Sequence, residues 1–76
     1  MKNGKVPILD IYLASFLSLQ GVDPQFSKQG TRAVFEFPAT AEVYRLTKKY
    51  NQSPDVSVLD FVHHLRKLRS QMLAIR

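Results

Sequence analysis

The chain has 76 residues, is 45% apolar and lacks cysteine, and its eleven basic against six acidic residues leave a net charge of +5. Such apolar content excludes a disordered chain, the length suits one domain with a small core, and the absence of thiols excludes both a disulfide framework and a thiolate metal site. The basic excess is uneven, with seven of the basic residues and three of the acidic ones from Ala39 onward.

In chain order, residues 1–7 are expected to be a flexible terminus. Two lysines there precede an apolar run, as in a secretion signal, but Asp10 interrupts the run and no small-residue cleavage site follows it, so a cytoplasmic protein is expected. From Ile8 to Leu19 comes the densest apolar segment of the chain, with only a narrow polar strip at Ser15 and Ser18. A helix apolar nearly all round belongs inside a protein, and this one is too short and too flanked by polar residues to cross a membrane. Asp10 can cap it and Gly21 can close it, which sets a central helix over residues 8–20.

The run Asp10-Ile11-Tyr12-Leu13-Ala14-Ser15-Phe16-Leu17, then Gly21, then the strand-like Ala33-Val34-Phe35-Glu36-Phe37, resembles a family of small bacterial proteins described only as a domain of unknown function. In that family a D-[LI]-Y-L-A-[AS]-F-L helix precedes a glycine, a short β segment and two further helices. The resemblance spans most of the chain and implies a fold. It implies no activity, ligand or catalytic residue.

Residues 22–37 read as a β-hairpin. With Gln29-Gly30 in the turn, Val22, Pro24, Phe26, Ala33, Phe35 and Phe37 share a buried face under the central helix, and Asp23, Gln25, Ser27, Arg32, Val34 and Glu36 face outward. That register sets Asp23 against Glu36, and a three-residue Lys28-Gln29-Gly30 loop competes with it. A second helix over residues 41–51 is capped by Thr40, with Val43, Leu46 and Tyr50 inward and Arg45, Lys48 and Lys49 opposite. Asn51 to Val56 breaks the period at Pro54. A third helix over residues 57–75 begins at Ser57. It has an inner stripe of Val58, Phe61, Val62, Leu65, Leu68 and Met72, and His63 and His64 on the far, solvated side. The expected architecture is a single α+β domain ordered helix, β-hairpin, helix, helix.

Chemistry is sparse. Adjacent helical histidines diverge, so His63 and His64 do not close on one metal ion. Asp10, Glu42 and Asp60 already serve helix ends, and three scattered glycines make no phosphate cradle. No catalytic residue, metal, cofactor or small-molecule substrate is expected, and a non-catalytic protein-interaction module ranks first. Its contact surface would include Val34 on the outer hairpin face, an unpaired strand edge, and Leu73 and Ile75 in the apolar tail. The alternative is a nucleic-acid accessory, in which Arg45, Lys48 and Lys49 join Arg66, Lys67 and Arg69 in one phosphate-binding patch if the last two helices are neighbours.

Overall fold

The computed structural model describes residues 4–74. Its elements are β1 (Lys5–Ile8), α1 (Ile11–Leu19), β2 (Gln25–Gln29), β3 (Arg32–Pro38), α2 (Ala41–Tyr50) and α3 (Val58–Ala74). The class is α+β, and the helix, hairpin, helix, helix order is present with a strand ahead of it. That strand is the first correction. Residues 5–7, expected to be flexible, and Ile8, expected to be helical, form β1 and pair antiparallel with β3, Val6 opposite Phe37 and Ile8 opposite Phe35. Lys5-Val6-Pro7-Ile8 alternates outward and inward, so pairing buries Ile8 against the aromatic face of β3. Pro7, which has no N–H to give, is tolerated because β1 is an edge strand. Residues 1–3 of the expected flexible terminus, and Ile75 at the expected end of the third helix, lie outside the described residues.

The sheet has the order β1-β3-β2. Phe26 pairs with Phe35, their rings edge to face at 5.2 Å, and Gln29 pairs with Arg32, so the turn is Gly30-Thr31, one residue later than expected. Gly30 sits at φ 64° with Thr31 at negative φ, and glycine first is what a type II′ hairpin turn requires. Moving the turn by one residue moves the pairing by two, which keeps every side chain on its expected face and sets Gln25, not Asp23, against Glu36.

Helix α1 begins where the Asp10 carboxylate accepts from the Tyr12 N–H at 2.9 Å. It ends in a Schellman closure, with the N–H of Gly21 (φ 96°) donating to Ser18 O and that of Val22 to Leu17 O. All three helices lie on the sheet face that carries Ile8, Phe35 and Phe37. Those side chains share a core with Ala14, Phe16 and Leu17 of α1, Val43 and Leu46 of α2, and Leu68 of α3. Thr40 caps α2 by accepting from the Val43 N–H, and Ser57 caps α3 by accepting from the Asp60 N–H. Between α2 and α3, Ser53 adopts φ 55°, a left-handed conformation uncommon for a residue other than glycine. Among the described helices, none is long and apolar enough to cross a membrane.

Because Ile8 is enclosed in this core, Ile8→Ala should lower the free energy of unfolding by roughly 2–4 kcal/mol in urea titration. Exposed Tyr44→Ala should change it by no more than about 0.5 kcal/mol. Equal effects would mean that β1 contributes nothing to the core.

Candidate functional site

Three features of the helical layer bear on function. The first is a polar junction where α1 meets α3. Ser18, only 3% exposed, has its Oγ 2.9 Å from His64 Nδ1 and donates at 3.4 Å to Asp23 Oδ1. His64, expected on the solvated side, instead turns its ring to α1 because it borders the stripe of Phe61, Leu65 and Leu68. Burial, the cation of Lys67 and the neighbouring His63 hold its pKa below the ordinary 6.5, against the pull of Asp23 and Asp60. The Lys67 ammonium stands 3.9 Å from Asp23, an exposed pair of little energetic weight. Serine, histidine and aspartate are the components of a nucleophile relay, but here the serine is the hub. A relay needs the imidazole between hydroxyl and carboxylate.

The second is an open cleft of about 440 Å³ between α1, the end of α2 and the start of α3, with Phe16, Tyr50, Pro54, Val56 and Phe61 among its walls. Phe16 and Tyr50 stack at a tilt, 5.5 Å between ring centres. Burial, with the nearby Asp10 and Tyr12, raises the Tyr50 pKa above its usual 10.0, so the hydroxyl is neutral at ordinary pH. The lining residues carry no charge in that range.

The third is the flank of α3 turned away from α1. Val58, expected in the inner stripe, is 72% exposed; Leu59 is 82% exposed and Leu73 54%. Val58 stands at the border of that stripe, and Val56 and Phe61 on either side of it pack on the core in its place, while Leu68 is the helix's one fully buried residue. Around a 3.6-residue period Leu59, Val62, Arg66, Arg69 and Leu73 fall on one side, at intervals alternating between three and four. Sequence periodicity contains this second stripe, but the stronger inner stripe of Phe61, Leu65, Leu68 and Met72 masks it.

Val34, expected on a contact surface, is buried instead. It does face away from the helices, yet it is 1% exposed. It lies on the middle strand between longer side chains, with Arg32 and Glu36 along β3 and Ser27, whose Oγ is also shut off from solvent, opposite on β2. Lys5 on one edge strand further donates to Gln25 on the other, across that face. Leu73 remains on the surface, and Ile75 lies outside the described residues. The six basic residues are all exposed but are not brought together. Helix α1 packs against both α2 and α3, which make no comparable contact with each other. Arg45, Lys48 and Lys49 therefore stand apart from α3, where Arg66 and Arg69 share the apolar flank and Lys67 turns to Asp23. Among the described residues no three of His, Asp and Glu converge as metal ligands.

The geometry thus defines a small α+β domain whose exposed chemistry is an apolar and basic helix flank and, on the α1 side of that helix, an aromatic cleft. The profile of the domain of unknown function DUF5659 matches residues 3–74, and the chain belongs to that family. No curated protein and no solved structure matches it significantly.

Since the folded state depresses the His64 pKa, the unfolded chain binds the proton more tightly. The stabilising contribution is therefore present above pH 6.5 and lost as pH falls through the folded value. Chemical denaturation between pH 8 and pH 5 should show stability declining in that window, and His64→Gln should flatten the decline. An unchanged slope in the variant would mean that another group is responsible.

Proposed function

We propose that this domain is a non-catalytic protein-interaction module and that its contact surface is the uncovered flank of α3. The observation that carries the reading is the alignment of Val58, Leu59 and Leu73, each more than half exposed, on one side of one helix. Single exposed apolar residues are ordinary. Several on one helix side, with arginines among them, match the composition of protein contact surfaces. Leaving a Leu or Val side chain in water forfeits roughly 1.5–3 kcal/mol that burial would provide, which a partner recovers.

The polar groups support the non-catalytic part. Ser18 is enclosed by the helices that hold its hydroxyl, and its geometry serves to join α1, the following loop and α3. The aromatic cleft, lined by Phe16 and Phe61, opens on the α1 side of α3 and has no charged group in its walls.

A photo-crosslinking residue placed at position 59 or 73, in the cells that make the protein, should give a discrete protein adduct. The same residue at exposed position 44 should give none. Adducts from neither site, or equally from all three, would contradict the reading. Leu59→Ser should leave folding stability unchanged within about 0.5 kcal/mol, while abolishing the adduct formed from position 73.

A further inference from the structure

We infer that the occupant of this flank is an amphipathic helix of another protein, apolar at both ends and carrying carboxylates between them; the inference rests on the interaction-module reading. The alternation of three and four along Leu59, Val62, Arg66, Arg69 and Leu73 is the spacing that a second helix meets when it packs along the first. From Leu59 to Leu73 the seam runs about 21 Å at 1.5 Å per residue, the length of roughly four turns. Its ends are apolar and its middle is a pair of guanidinium groups.

That middle discriminates between occupants. If a second copy of the chain lay antiparallel, matching Leu59 to Leu73 would set Arg66 against its own symmetry mate. A parallel copy would set both arginines against themselves. Neither arrangement supplies a counter-charge, because the one acidic residue of α3, Asp60, lies on the other side of the helix with Lys67. A lipid surface fits no better. Around the helix Arg66 falls between Leu59 and Leu73, so inserting those leucines into hydrocarbon would carry the guanidinium with them instead of leaving it at the polar border. Carboxylates on a facing helix satisfy both arginines, each through paired N–H donors, while its terminal apolar residues cover Leu59 and Leu73.

The test titrates the isotope-labelled full chain with three synthetic helices that share their apolar residues and differ only at two central positions, which carry Glu, Gln or Lys. The Glu helix should shift the amide signals of residues 58–73 and bind roughly tenfold or more tightly than the Gln helix, with the Lys helix weakest. In the Arg66→Glu/Arg69→Glu variant, whose two sites are exposed, that order should invert. Equal affinity for all three helices would overturn the acidic chemistry and leave the flank as a contact surface. A dimer that forms with concentration and is lost in Leu59→Ser would overturn the inference in favour of a second copy. A stronger response to phosphatidylglycerol vesicles than to the Glu helix would overturn it in favour of lipid. A monomer whose α3 amides respond to no helix and no vesicle would overturn both the inference and the interaction reading.

Discussion

The enclosure of α1 is the constraint on which the rest of the structure depends. From Ala14 to Ser18 five consecutive residues are buried, which a helix achieves only when neighbours cover it on several sides. The sheet covers one side, α3 another and α2 a third. Two of the five are serines, whose hydroxyls cannot be left unpaired inside. The Ser15 hydroxyl donates to Ile11 O at 2.7 Å, and Ser18 engages His64 and Asp23. The small side chains let α3 approach closely, and the hydroxyl of Ser18 fixes where along α1 it docks.

Much of this was legible in the sequence because local chemistry and periodicity agreed. Asp10, Thr40 and Ser57 each cap the helix they precede, and the alternation through Phe35 and Phe37 marks the buried face of β3 whichever of the two adjacent turns is taken. The first strand was hidden because four alternating residues run directly into a longer apolar stretch, so Ile8 reads equally as the start of the helix. Val34 is hidden for a different reason. Facing away from the core does not mean exposure when a short side chain stands on the middle strand among longer ones.

The surface was less legible than the core. A helical stripe in sequence records which residues are apolar but not which part of the stripe a neighbour covers, so Val58 reads as inward although the core takes Val56 and Phe61 instead. By angle alone His64 belongs to the polar side, whereas it sits at the border and finds Ser18, a partner forty-six residues away. The basic residues of α2 and α3 do not form one patch, because the two helices are not packed as neighbours. With α1 holding α2 and α3 apart, the charges of the two outer helices serve separate surfaces.

The unequal edges of the sheet set a limit on assembly. β1 contains Pro7, which can neither donate to a further strand nor let one lie flush, while β2, among the described residues, has no strand on its outer side. A filament built by strand addition needs two receptive borders per molecule, one to accept and one to offer. With a single such border, strand addition through β2 closes at two molecules and cannot propagate.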